Sequence, residues 1–279
     1  MDITLVSELS NLLYIVIFFF VVCLTKLVYN LSVPYNTFTE IADKQNRAIA
    51  ISVSGFSLAI AIIYCAVVAG PSSGLFNDVV NVIMYTIVGI FLLIFSRFIN
   101  DKVLLHSFCN HQQLGEHQNV AVGISQAGCY LASGLIIAGA VTGEGTLWSA
   151  LIFYVLGQLL LIIATKVYDW ITPFELLTEL KKQNSAAALS FAATLVAIGI
   201  ILLHALIGTF ESWQSSLILF AQDALIALVL LPIIRILVDK VMFPVVNLNQ
   251  SIKEQQNTAI ALLEGTVTIS IAVVILFAL

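Results

Sequence analysis

Four copies of one short string constrain this chain more than any other feature. Lys44-Gln45-Asn46-Arg47-Ala48 returns as His117-Gln118-Asn119-Val120-Ala121, as Lys182-Gln183-Asn184-Ser185-Ala186 and as Gln255-Gln256-Asn257-Thr258-Ala259. Gln, Asn and the Ala two places after the Asn are the same in all four. Each copy closes a polar loop and opens a long apolar run. An internal period of about 70 residues marks one two-helix unit used repeatedly.

The solvent for those runs is lipid. Of 279 residues, 60 % are hydrophobic and 10 % are charged, against about 25 % charged in soluble domains. A bilayer core takes about 20 apolar residues per helix. Eight runs qualify, at roughly 11–29, 47–69, 78–98, 119–140, 147–168, 185–207, 217–238 and 257–278. Three links between them are short: Gly70-Pro71-Ser72-Ser73-Gly74, Thr142-Gly143-Glu144-Gly145 and Gly208-Thr209-Phe210-Glu211 read as turns. The four others are longer and carry the Gln-Asn strings. The N-terminal stretch has Asp2 and Glu8 and no basic residue, so it lacks the positive region of a cleaved signal and the first helix is expected to stay. The four cysteines form no CxxC pair, which argues against a disulfide framework.

All eleven basic residues sit at one end of the runs. Lys26, Lys44 and Arg47 flank the first long loop, and Arg97 and Lys102 the second. Lys166, Lys181 and Lys182 flank the third, and Arg235, Lys240 and Lys253 the fourth. The positive-inside rule then predicts cytoplasmic motif loops and both termini outside. No basic patch exists elsewhere, so nucleic acid is excluded as a partner.

A second layer of repetition pairs the hairpins into halves. Arg97, Asp101, Lys102, Asn119 and Gln126 recur as Arg235, Asp239, Lys240, Asn257 and Glu264 at one constant offset. The first and third loops share Pro34 with Pro173 and Thr39-Glu40-Ile41 with Thr178-Glu179-Leu180. The expected fold is an all-α membrane protein of eight transmembrane helices. It divides into two four-helix repeats, residues 1–140 and 141–279, each built of two related hairpins. An even helix number per repeat keeps the copies parallel, related by an axis along the membrane normal. Even-numbered spans are rich in small residues such as Gly55, Gly123, Gly128, Ala186 and Ala193; odd ones are bulky, as in Phe18-Phe19-Phe20. Small faces permit close approach in lipid, so the even spans are expected to form an inner ring and the odd spans an outer one.

This combination, loops of the form Pro-x-x-x-x-Thr-Glu-Ile…Gln-Asn-x-Ala on tandem hairpins, resembles the bacterial inner-membrane YjfL family, whose repeated domain has no known function. The resemblance covers nearly the whole chain. It implies a bacterial inner-membrane location and eight helices. It brings no established catalytic residues. Some relatives are associated with ATP-grasp peptide ligases and polyamine enzymes, which implies partnership rather than chemistry.

Candidate functional groups are the polar side chains that lipid would otherwise exclude. The pairs Gln45/Asn46, Gln118/Asn119, Gln183/Asn184 and Gln256/Asn257 have two readings. Four Asn at one depth could line a polar vestibule, since the amide both donates and accepts. Alternatively each caps an even span, a role that leaves the Gln unexplained. Glu264 lies about 10 Å into its helix at 1.5 Å per residue, with Gln126 as its counterpart. An intramembrane acid must be neutral, paired or hydrated, and marks a functional site by default. Asp223, Gln158 and His204 are blander polar residues within helices. Lys26, Arg97, Lys166 and Arg235 precede Asn30, Asp101, Asp169 and Asp239 by one turn, a spacing that permits pairing; snorkelling anchors are the expectation for the cations. His106, Cys109, His111, Glu116 and His117 share a loop, but their spacing matches no metal signature, and no metal or cofactor is expected. There is no nucleophile–base motif, so the chain reads as a non-enzyme. The leading functional expectation is a transporter- or channel-like protein for small cations or protons. The alternative is a scaffold docking a cytoplasmic enzyme, an ATP-grasp ligase or a polyamine-related one, through its four loops. The expected partners are the lipid bilayer and a cytoplasmic protein; a homo-oligomer stays open.

Overall fold

In hydrocarbon every backbone N–H and C=O needs an internal partner, and an α-helix provides one for nearly all of them. The computed structural model follows that rule. The described residues are 3–72, 74–142, 146–172, 174–207, 212–242 and 247–278; within them the side chains of residues 3–10, Leu231, Arg235 and Met242 are not described. Ser73, Pro173 and the turns at Gly143 to Gly145 and Gly208 to Glu211 lie outside the described residues.

The helices are α1 (Ile3–Leu31), α2 (Thr37–Ala42), α3 (Arg47–Val68), α4 (Leu75–Ile99), α5 (Asn110–Gly115), α6 (Val120–Thr142), α7 (Leu147–Ile171), α8 (Leu176–Lys181), α9 (Ser185–Leu206), α10 (Trp213–Leu237), α11 (Leu248–Lys253) and α12 (Thr258–Ala278). Eight are long and apolar enough to cross a membrane. The short α2, α5, α8 and α11 lie in the four motif loops. π-helical turns follow α4 at Asn100–Leu104 and α10 at Val238–Met242, at equivalent places in the two halves.

The four motif spans do not form a ring. α3, α6, α9 and α12 stand in a row, each packed on the next. The other spans lie along this row: α4 on α3 and α6, α7 on α6 and α9, α10 on α9. α3 and α12, at the two ends, are separated by an open apolar groove of about 300 Å³ lined by Ile51, Ile124, Leu131, Leu189, Val196 and Leu262. The reason lies in the distribution of small residues. α6 has two small faces, with Gly123 and Gly134 against α3 and Gly128 and Gly139 against α9. It therefore needs two close neighbours, and the chain supplies them in order. α6 and α9 are accordingly the most buried spans, while α12, at the end, is largely uncovered. The bulky outer residues Phe19, Phe20, Phe91 and Trp170 are exposed and suit lipid.

Contact in the row is close to the steric limit. A Cβ built on Gly128 would stand 2.6 Å from the Ala192 Cα, and one on Gly265 2.7 Å from the Ala193 Cβ. Without a hydrophobic drive between helices in lipid, such dense van der Waals packing holds the row together. Gly128→Val is therefore expected to destabilise the folded protein by roughly 1–3 kcal/mol, as overpacking does elsewhere. Phe91→Ala, on the lipid side, is expected to change it by less than about 0.5 kcal/mol. Unfolding of the purified variants in mixed micelles checks this; equal effects would contradict the row.

Candidate functional site

Each motif loop is built the same way. A six-residue helix ends, one residue turns left-handed, and the next caps a transmembrane helix. The left-handed residue is the Gln of the motif: φ is 51° at Gln45, 46° at Gln118, 61° at Gln183 and 49° at Gln256. That conformation costs an L-residue roughly 1–2 kcal/mol. What it achieves is closure. The following Asn N–H returns onto the short helix, from Asn46 to the Glu40 carbonyl, from Asn119 to Gln113, from Asn184 to Glu179 and from Asn257 to Ser251. All four Gln side chains are exposed, so none lines an internal site. Nothing in the structure explains why this residue is Gln rather than Asn or Gly.

The Asn side chains do two things. Oδ1 caps the transmembrane helix: Asn46 accepts from Ile49 N–H at 3.2 Å, Asn119 from Val122 at 3.3 Å, Asn184 from Ala187 at 3.1 Å and Asn257 from Ile260 at 3.2 Å. Nδ2 then crosses to the next hairpin. Asn46 donates to the Leu114 carbonyl at 2.8 Å, Asn119 to Leu180 at 2.8 Å and Asn184 to Ile252 at 2.9 Å. It also donates back to its own loop, to Glu40, Gln113 and Glu179 respectively. Asn46, Asn119 and Asn184 are 0 % exposed. For Asn46, Asn119 and Asn184 the vestibule reading is thus corrected in favour of the cap: their amides are used up as caps and ties, because a buried helix start must satisfy its free N–H groups, while Asn257, among the described residues, makes the cap alone. Glu179 belongs to the same construction. Burial pushes its carboxyl up, but hydrogen bonds from Asn184 and Lys182 outweigh that and hold it below the usual range. Its contribution is present above the ordinary glutamate pKa and is lost as pH falls through the lowered folded value.

A second polar assembly lies inside the membrane region of the first half. Tyr29 Oη and Ser52 Oγ are 3.0 Å apart, and Ser52 donates to Gln126 Oε1 at 2.7 Å. Gln126 Nε2 donates to Asp101 Oδ1 at 3.0 Å, which also accepts from Asn110 Nδ2 at 2.9 Å. Arg97 Nε lies 3.8 Å from Asp101 Oδ2, and its guanidinium sits over the Tyr29 ring at 5.0 Å. Asn100 donates to Ser133 at 3.2 Å, deeper along α6. Arg97 is 3 % exposed, so it is no snorkelling anchor. The Ser32 hydroxyl, which accepts a hydrogen bond from Arg97, together with the nearby Asp101 carboxylate and the Tyr29 ring, holds it within the bundle, which removes the need to reach water. Asp101 itself stays about one-fifth exposed, at the π-turn. π-turns of this kind recur at functional sites.

The second half repeats the frame with a different charge. Tyr168 and Ser190 pair at 3.0 Å, as Tyr29 and Ser52 do. Glu264 takes the place of Gln126 and is 2 % exposed. It lines a small cavity with Tyr168, Thr194, Ile234 and Thr268, between α7, α9, α10 and α12. Asp239 is half-buried on its π-turn; the Arg235 side chain lies outside the description. Gln126 and Glu264 were readable as candidates in the sequence. Tyr29 and Ser52 were missed, although their recurrence as Tyr168 and Ser190 is the signal that finds them.

The remaining polar residues resolve more simply. His204 is not isolated: its Nδ1 is 3.3 Å from Asp223 Oδ2, near the end of the bundle opposite the motif loops. Gln158 is buried, and among the described residues neither amide atom has a partner. No three His, Cys, Asp or Glu side chains converge as metal ligands among the described residues, so His106, Cys109, His111, Glu116 and His117 remain spread over their loop.

The two roles within the motif separate by mutation. Asn119→Ala removes a cap worth roughly 0.5–2 kcal/mol and strands the Leu180 carbonyl, worth roughly 1–3 kcal/mol more. Gln118→Gly relieves left-handed strain and is expected to be neutral or stabilising by about 1 kcal/mol. Thermal unfolding in detergent checks the order, and a Gln118→Gly loss as large as the Asn119→Ala loss would contradict it.

Comparison with known proteins agrees with the duplicated fold. The chain is similar to a UPF0719 transmembrane protein from Aquifex aeolicus (strain VF5), 26 % identical over 235 residues, which span 81 % of this chain and 84 % of that protein. No solved structure matches. The family profile of the Domain of Unknown Function DUF350 matches twice, over residues 4–141 and 142–279. An eight-span bundle of two repeated halves, with a buried Tyr–Ser pair in each, is thus the form taken by two tandem copies of that domain: the chain belongs to the DUF350 family.

Proposed function

We propose that this protein is a non-enzymatic carrier coupled to protons or small cations in a bacterial inner membrane. Its motif loops face the cytoplasm and its termini the other side. The orientation rests on the eleven basic residues at the motif end. The function rests on one observation. The buried chain Tyr29–Ser52–Gln126–Asp101–Arg97 faces a second half in which Tyr168 and Ser190 pair in the same way and the titratable Glu264, buried, stands at the position of the neutral Gln126. Charged groups at membrane depth are costly and mark ion or proton pathways by default.

Its geometry favours a carrier over an open channel. The polar assembly reaches the motif end through Asp101, and the separate buried pair Asn100–Ser133 lies deeper along α6. Beyond Ser133, α6 continues with buried Leu135, Ile136, Ile137 and Ala138, packed in apolar surroundings. A site open on one side and closed by a dry helix pack on the other is the resting arrangement that alternating access requires.

Glu264→Gln copies the first half and removes the titration. The variant is expected to insert and fold normally and to lose at least tenfold of its proton- or cation-dependent flux in reconstituted vesicles. Flux equal to that of the native protein would sink the carrier reading for Glu264. A second reading is favoured by the four similarly closed loops, which present four exposed Gln at matched positions: a scaffold for a cytoplasmic enzyme of the ATP-grasp or polyamine-related kind. Absence of flux in both proteins, with such an enzyme retained by the native loops and released by Gln→Gly changes at all four, would favour it.

A further inference from the structure

One face of the four motif spans is repeated residue by residue. It starts at the position after the motif Asn and returns 4, 7 and 11 residues later. On α3 it reads Arg47, Ile51, Ser54, Leu58, and on α6 Val120, Ile124, Ala127, Leu131. On α9 it reads Ser185, Leu189, Ala192, Val196, and on α12 Thr258, Leu262, Gly265, Ile269. The order is the same in each: a head residue, a large apolar one, a small one, a large apolar one. Steps of three and four residues hold to one side of a helix. On the two inner spans that side is the open one. Between Val120 and Ala140, α6 is buried except at its four positions, and between Ser185 and Leu202 so is α9.

These faces line the groove between α3 and α12. Ile51, Ile124, Leu189 and Leu262 form its layer nearest the motif loops, and Leu131, Val196 and Ile269 its deeper one. Ala127, Ala192 and Gly265 lie between them, so small side chains hollow the middle of the groove. The next turn shuts it. Ile62 of α3 packs there on the buried cluster that holds Leu135, Ile200 and Ala272. The open stretch therefore ends about 16 Å below the helix starts, at 1.5 Å per residue. That is close to half of a hydrocarbon core of about 30 Å, the depth of one leaflet.

We infer that the groove seats one acyl chain of an anionic phospholipid from the leaflet on the motif side, with its phosphate at Arg47. A transmembrane helix needs a face that crosses the whole core, and here the far half is closed. A lipid chain needs the open half alone. The charge sits where the headgroup must. Arg47 is exposed and is the only charged residue on the four faces. Among the described residues it makes no ion pair or hydrogen bond, whereas Lys44 and Lys182 are spent on Glu40 and Glu179. A guanidinium matches phosphate oxygens two at a time, and basic groups at the membrane surface select anionic lipids. Ser185 and Thr258 put hydroxyls at the same level of their helices.

Native mass spectrometry reads the site. The chain is reconstituted in vesicles of equal parts dioleoyl phosphatidylglycerol and dioleoyl phosphatidylcholine and released in mild detergent. One phosphatidylglycerol per chain is expected to stay bound, about fivefold in excess over phosphatidylcholine, the effect of one cation at the membrane surface. R47Q is expected to bring the two lipids to within about twofold of each other. T266W fills the groove from the exposed Thr266 and leaves Arg47 in place; it is expected to lower retention of both lipids about fivefold. F91W, on the exposed lipid side, is expected to retain them as the native chain does. Equal retention of the two lipids by the native chain, or an unchanged phosphatidylglycerol excess in R47Q, overturns the headgroup contact. Native retention in T266W, or a loss in F91W as large as in T266W, overturns the groove as the seat. A lipid-free dimer of the native chain would give the groove to a second copy and overturn the proposal outright.

Discussion

An asparagine amide placed between two hairpins is the interaction on which the rest of this structure depends. Its Oδ1 satisfies the start of one transmembrane helix and its Nδ2 holds the loop of the next. A helix start buried without such partners would carry unpaired donors. Because cap and tie share one side chain, helix formation and hairpin order are coupled: where the Asn is seated, the neighbouring loop is seated too. Three uses place α3, α6, α9 and α12 at a common depth. Glycine and alanine faces then set the spacing between them, with Gly128 against Ala192 as the tightest point of the central contact.

That rigid row gives the polar assembly its setting. Arg97 and Asp101 come from the end of α4 and its π-turn, Gln126 from α6, Ser52 from α3 and Tyr29 from α1. Four elements must be in register for those hydrogen bonds to close, and the Asn ties supply that register for α3 and α6. The duplication then permits divergence. The first half keeps a neutral Gln126 beside an ion pair, whereas the second puts Glu264 in the same slot. The repeated slot thus carries a neutral amide in one half and a carboxyl in the other.

How far the sequence could be read depended on the range of each interaction. The eight spans were legible because lipid demands long apolar helices, and the Asn caps because a cap involves residues only three apart. The ties were not, since Asn46 and Leu114 lie 68 residues apart and a carbonyl has no sequence identity. Arg97 shows a similar limit: its spacing to Asp101 was visible, but its depth was set by Tyr29 on another helix. The row itself was partly visible. Gly123 and Gly128 point α6 at two partners, α3 and α9. Composition alone suggested a ring; the difference lay in counting faces rather than residues.

The central claim is a polar assembly that communicates with the motif end of the bundle and is sealed from the other by the apolar half of α6. Single cysteines at Asp101 and at Ile136, in oriented membrane vesicles, test it through their reaction with a membrane-impermeant thiol reagent. The account predicts that D101C reacts from the motif side and not from the other, and that I136C reacts from neither. Labelling of I136C from either side, or of D101C only from the side opposite the motif loops, would contradict it.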